Sequence, residues 1–196
     1  CCKFVLYLLA ILALLFICWL LIVKTYLEDV SDKASMPKFF IEAITSSNID
    51  ISSSSQISAQ NLTINFVVEN HAPHPAMYDN AVVSILYKRN VIWSNMLGLY
   101  WQQKGERTSV QVSFGNFPVQ MRNTKVANAI NKENRENGYG IFTVDIMGCF
   151  DMGNEYGPMR LQVYCGDVKL QFSSPTHETG LPRKCTVELW ITDKLY

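Results

Sequence analysis

NLTINFVVEN, residues 61–70, places Leu62, Ile64, Phe66 and Val68 on one phase and Asn61, Thr63 and Asn65 on the other. A period of two is what a half-buried β-strand requires, because successive side chains leave opposite faces of a sheet. The alternation recurs down the chain. TSVQVSF (108–114) sets Val110, Val112 and Phe114 against Ser109, Gln111 and Ser113, and GIFTVDIMGCF (140–150) sets Phe142, Val144 and Ile146 against Thr143 and Asp145. MRLQVYC (159–165) sets Leu161 and Val163 against Arg160 and Gln162, and VKLQF (168–172) sets Val168, Leu170 and Phe172 against Lys169 and Gln171. FFIEAI (39–44), AVVSILYKR (81–89) and CTVELWI (185–191) also read as strands.

Turn signals separate these runs: HAPHP (71–75), Lys104-Gly105, Gly153, Gly157-Pro158 and SSPTHETGLP (173–182). The serine-rich SSNIDISSSSQIS (46–58) reads as a polar loop. One helix interrupts the pattern in NTKVANAINKENRENG (123–138), where Val126, Ala127 and Ile130 share a face, Asn123 or Thr124 caps the start and Gly138 ends it. Seven or eight short strands with one short helix predict a mainly β fold: an antiparallel β-sandwich of the immunoglobulin or fibronectin type III kind, spanning residues 39–196.

Ahead of that domain stands KFVLYLLAILALLFICWLLIVKTY (3–26), uncharged from Phe4 to Val23. About twenty helical residues span a hydrocarbon core of roughly 30 Å, whereas a secretory signal has an apolar run of only about 7–15 residues and a small-residue cleavage site. No such site follows. Tyr7 and Trp19 stand towards the two ends, and Lys3 and Lys24 bracket the run. A transmembrane helix over residues 4–23 is expected, with residues 1–3 as the remnant of a cytosolic tail and residues 24–38 as a stalk. The chain begins at Cys1, which leaves room for a longer tail, and one lysine on each side does not fix the orientation.

Of 17 basic and 17 acidic residues, only Lys3 and Lys24 precede Thr25, so the remainder carries 15 basic against 17 acidic. A nucleic-acid partner would require a basic stripe to neutralise phosphates, and there is none.

Among six cysteines, Cys1, Cys2 and Cys18 belong to the apolar segment and Cys149, Cys165 and Cys185 to the domain. Three thiols allow three pairings. Cys165 continues the inward phase of Leu161 and Val163, Cys185 shares that of Val187 and Leu189, and Cys149 lies on the outward phase. Phase therefore favours Cys165–Cys185 over the alternative of two buried free thiols. A bridge there places the domain in an oxidising compartment. Asn61-Leu62-Thr63 is an N-glycosylation sequon on the outward phase, and Cys1 and Cys2 abut the apolar segment where palmitoylation occurs.

The chemistry of catalysis finds few candidates. Histidines occur at 71, 74 and 177 only. In HAPHP the prolines deny His71 and His74 the helix that would align two imidazoles, so an exposed turn is expected rather than a metal site. Asp145 and Asp151 read as solvated strand acids, and no nucleophile elbow, zinc-protease, Walker or dinucleotide motif occurs. Trp93, Tyr100, Trp101 and Trp190 are more aromatic surface than a small core readily hides. They pack the core, or form a recognition surface or an apolar groove.

The order of elements resembles a known family. An apolar segment precedes LTINFVVENH (62–71), then MYDNAVVSILYKRNVIW (77–93), LYWQQKGERTSVQVSF (99–114) and two late strands each bearing a cysteine. This is similar to the plant Non-race-specific Disease Resistance and Harpin-Induced-like proteins, which carry a late embryogenesis abundant group 2 domain. Their Tyr-Asp corresponds to Tyr78-Asp79 and their Phe-Tyr-Gln to Tyr100-Trp101-Gln102. Where they have Asn-Pro-Asn this chain has Glu69-Asn70-His71. Their Asn-Gly-Asp motif has no counterpart beyond Gly166-Asp167.

The resemblance implies a single-pass plasma-membrane protein with its domain on the extracellular, apoplastic side, acting without enzymatic activity in defence and stress responses. The implied partners are the bilayer and a membrane or cell-wall protein, with homo-oligomer formation left open; no cofactor is expected. The alternative function is binding of a lipid or apolar ligand at the membrane surface.

Overall fold

A computed structural model describes residues 11–24, 36–51, 56–115, 119–121, 124–153, 157–172 and 176–191. The chain divides into two compact units, Cys1–Met36 and Pro37–Tyr196. In the first, residues 11–24 form helix α1, with its leucines, isoleucines, Phe16 and Trp19 exposed. Among the described residues no helix is long and apolar enough to cross a membrane. The structure therefore gives no support of its own to the expected span over residues 4–23, of which residues 4–10 lie outside the described residues. Most of the expected stalk lies outside them too.

The second unit is built of antiparallel sheets. One has four strands in the order β12-β1-β4-β8, formed by Thr176–Lys184, Lys38–Ser46, Thr63–Glu69 and Arg107–Ser113. The larger runs β13-β11-β10-β5-β6, formed by Thr186–Ile191, Met159–Gln171, Tyr139–Asp151, Ala76–Tyr87 and Asn90–Leu97, and β7 (Tyr100–Gln102) also pairs with β5. A small third sheet joins β2 (Asn48–Ile51), β3 (Gln56–Gln60) and β9 (Val119–Gln120).

The inward phases read from the sequence meet in one core. Phe39, Ile64, Phe66, Val68 and Val112 from the smaller sheet join Val83, Ile85, Phe142, Val144, Ile146, Leu161, Val163 and Leu170 from the larger. Phe39 sets its ring edge-on to that of Tyr78 across the two sheets, with centroids 5.9 Å apart. Two antiparallel sheets sharing one apolar core make a sandwich-like arrangement.

Several expected loops are ordered as strands. The serines at 52–55 lie outside the described residues, but the flanks of that stretch are the paired strands β2 and β3, because Ile49 in NIDI and Ile57 and Ala59 in QISAQ put one phase into the core. The supposed turn SSPTHETGLP contributes most of β12, which pairs with β1 through a register shift that absorbs Gly180, Leu181 and Pro182. Proline removes a donor from the ladder and is tolerated because β12 is an edge strand. The two expected strands 159–165 and 168–172 are one strand, β11, with a bulge where Asp167 adopts a left-handed φ of 57°. The first strand quoted above begins at Thr63, since Asn61 sits in a turn with φ 53°.

The helix α2 spans Thr124–Asn137 and buries the predicted Val126, Ala127 and Ile130. Gly138, at φ 73°, ends it by donating its N–H to the Asn134 carbonyl at 2.9 Å. Glu133 ties α2 to the β5–β6 hairpin, accepting from the Tyr87 hydroxyl at 2.7 Å and from Lys88 Nζ at 3.1 Å.

Register fixes which residues share an end of this unit. Lys38 pairs with Glu69 and Glu69 with Arg107, while Ala76, six residues past Asn70, pairs with Gln102. Phe150 and Asp151 at the close of β10 stand beside Tyr78 and Met77, and Ile191 beside Met159. The start of β1, where the chain arrives from the apolar segment, thus lies at the same end as HAPHP, β7 and the close of β13. The sequon and α2 lie at the other.

Candidate functional site

At the end where β1 starts, the three motif residues of the resemblance, Asn70, Tyr78 and Gln102, meet inside the protein. The β4 strand stops at Glu69, and Asn70, 1% exposed, turns its amide inward. Its Nδ2 donates towards the carbonyls of His74 (3.1 Å), Gln103 (3.1 Å) and Gln102 (3.3 Å), and its Oδ1 accepts from the Ala72 N–H at 2.9 Å. Its own main chain pairs with Glu106 and Gly105. One side chain thereby holds both HAPHP and the turn at residues 103–106.

Gln102 faces inward because it follows exposed Trp101 on a pleated strand, and it is fully buried. Its Nε2 donates to the Val68 carbonyl at 2.7 Å, the Glu106 carbonyl at 3.0 Å and Thr108 Oγ1 at 3.2 Å, while its Oε1 accepts from the Tyr78 hydroxyl at 3.2 Å. Val68 and Thr108 belong to the smaller sheet and Tyr78 to the larger, so this amide bolts the two together. The rings continue the contact: Tyr78 stacks on Tyr100 at 4.5 Å and 7°, and Phe150 lies 5.2 Å away.

Amides hold no exchangeable charge, and the two phenols are suppressed. Burial pushes Tyr78 and Tyr100 well above the ordinary phenol range, with the neighbouring Tyr78 adding to the shift of Tyr100. Both groups keep their protons in the folded state and lose them near pH 10 once unfolded. The unfolded state then binds fewer protons, so stability is intact below about pH 10 and falls as pH rises beyond it. Burial raises the Tyr87 hydroxyl as well, so a phenolate titration of the folded chain is expected to lag that of the urea-unfolded chain by at least three of the nine tyrosines.

The other candidate residues are dispersed. His71 stands exposed with its Nε2 3.2 Å from Glu69 Oε2, and His74 gives its carbonyl to Asn70. His177 lies on β12, with its side chain outside the described residues. Among the described residues no cluster of three or more His, Cys, Asp or Glu is placed to hold a metal. Asp145 accepts from Gln162 Nε2 at 3.2 Å, and Asp151 closes a turn by accepting from the Gly153 N–H at 2.7 Å. Six residues apart on one strand, they are separated by about 20 Å, too far to act on one bond.

Cys165 and Cys185 form a disulfide, as the phase of their strands predicts, and both are buried. Cys149 is a half-buried free thiol on the opposite face. Burial first, then the carboxylates of Asp151 and Asp79, push it up, which leaves little thiolate near neutral pH. Asn61 is exposed, with its Nδ2 3.0 Å from Ser47 Oγ, and the Thr63 hydroxyl donates to the Asn61 carbonyl. The expected lipidation sites Cys1 and Cys2 lie outside the described residues.

The aromatic surplus divides by position. Trp93 is 4% exposed and packs near Phe142, and Tyr100 joins the stack, whereas Trp101 is 63% and Trp190 42% exposed. Sequence reasoning treated the four together; only the register separates them. Compared with models of known protein families and with curated proteins, the chain matches none.

Proposed function

We propose that this chain is a membrane-anchored, non-enzymatic module whose immunoglobulin-like sandwich stands outside the plasma membrane and acts in plant defence or stress responses by binding a membrane or cell-wall protein. The observation that carries the reading is the buried Cys165–Cys185 disulfide in a domain that follows an uncharged apolar stretch. A disulfide persists in an oxidising compartment, and a run of about twenty apolar residues is long enough to hold the chain at the membrane. The resemblance to the Non-race-specific Disease Resistance and Harpin-Induced-like proteins supplies the biological setting. Its motif residues Asn70, Tyr78 and Gln102 are buried in the fold, so recognition falls to surface shape. Asn61, exposed at the end of the domain opposite the start of β1, suits glycosylation.

Full-length variants expressed in plants at matched abundance test this reading. Deleting residues 4–23 is expected to abolish the defence or stress response, because tethering raises the effective concentration of a partner in the same membrane. Replacing His71, His74 and His177 together by alanine is expected to leave it intact. Loss of response in a folded triple variant would overturn the non-enzymatic reading.

A further inference from the structure

On the outer face of the larger sheet, the end where β1 starts carries two exposed tryptophans. Trp101 pairs with Met77 and Met77 with Asp151; one row inward, Trp190 pairs with Arg160, Arg160 with Cys149 and Cys149 with Asp79. The two rings therefore stand at opposite edges of one sheet face, on β7 and β13. They are four strand spacings apart, about 19 Å. Tyr164, on the same face but farther from this end, is the other large hydrophobic ring of the second unit that is largely exposed among the described residues; the indole, an apolar body with one N–H donor, is the side chain that favours the lipid headgroup level.

The tether decides what meets them. Between Lys24 and Lys38 lie 13 residues, which reach at most about 45 Å when fully extended. They join the domain at the end that carries Trp101 and Trp190. A domain held by this end presents it to the bilayer first, and the tether keeps the local lipid concentration high.

We infer that Trp101 and Trp190 form a two-point rim that seats the domain on the lipid headgroups, with the sequon-bearing end directed away. The inference rests on the anchoring proposed above. Among the described residues this end carries both signs in nearly equal number, Lys38, Lys104, Arg107, Arg160 and Lys184 against Glu69, Asp79, Glu106 and Asp151. Docking therefore runs on ring burial and does not require anionic lipid, which would attract only a basic surplus.

The test uses the full chain carrying Trp19→Phe, reconstituted into phosphatidylcholine vesicles with or without bromine on the shallow acyl carbons. Bromine quenches only indoles at the interface, and buried Trp93 serves as the unquenched reference. Emission is expected to fall by roughly a third or more in brominated vesicles, and this loss to disappear when Trp101→Phe and Trp190→Phe are added. Phosphatidylserine or added salt should leave it unchanged. Equal emission in both lipids, from chain that stays in the carbonate-washed pellet, overturns the rim and spares the anchor. Quenching that requires phosphatidylserine overturns the ring-burial account. Release of the chain by carbonate overturns both readings.

Discussion

Gln102→Ala is expected to lower the unfolding free energy by about 3–5 kcal/mol, most of the stability of a marginal domain, and the substitution removes no charge. The truncated side chain leaves the Val68 and Glu106 carbonyls, the Thr108 hydroxyl and the Tyr78 hydroxyl without the amide that satisfied them. It also leaves a cavity where the two sheets meet, and cavity and orphaned groups add. Urea unfolding followed by circular dichroism reads the loss. Gln102→Leu separates the two causes: it refills the volume but restores no hydrogen bond, so it should recover less than half of the loss. Full recovery would mean that the amide is packing rather than a bolt. Asn70→Ala should cost less, about 2–3 kcal/mol, because part of what it releases lies in exposed turns that water can solvate. The pair should couple, since Asn70 Nδ2 reaches the Gln102 carbonyl.

That network shows where sequence reasoning stops. Alternation located the core strands because one buried face imposes period two, and Val126, Ala127 and Ile130 identified α2 for the analogous reason at period 3.6. Asn70 and Gln102 are 32 residues apart, and nothing in their local pattern says that both amides turn inward. Their partners are mainly backbone carbonyls, which carry no sequence signature. The same limit explains β12. Gly180 and Pro182 are turn residues by local rules, but an edge strand absorbs them in an irregular register that only the pairing with β1 reveals. The disulfide was legible because Cys165 lies on a strand of clear phase and Cys185 immediately precedes another and continues its phase. Trp101 and Trp190 were visible as residues but not as a pair, because their shared face follows from strand order.

Removing the disulfide, by Cys165→Ala with Cys185→Ala, is expected to lower stability by about 2–5 kcal/mol, with roughly 3 kcal/mol from loop-closure entropy across the 20-residue separation. The location argues for the upper half of that range. Cys185 stands between β12 in the smaller sheet and β13 in the larger, and its N–H donates to the Phe39 carbonyl at 2.9 Å, so the bridge to Cys165 on β11 pins the point where the chain changes sheets. Both strands that meet there are edge strands, and β12 is further weakened by its register shift. After the substitution the main-chain bond from residue 185 to Phe39 remains, and Arg183 still donates to the carbonyls of Gly166 and Asp167 beside the bulge. Proteolysis of the double variant should therefore begin around Arg183 and Lys184, before the core strands β10 and β11 yield. Alkylation of the unsubstituted chain in urea without reductant should spare Cys165 and Cys185, which carry no free thiol, while in the folded chain Cys149 should react only slowly. Chain taken from its native membrane with both thiols alkylatable would show a reducing compartment, and the extracellular placement proposed for the domain would fall with it.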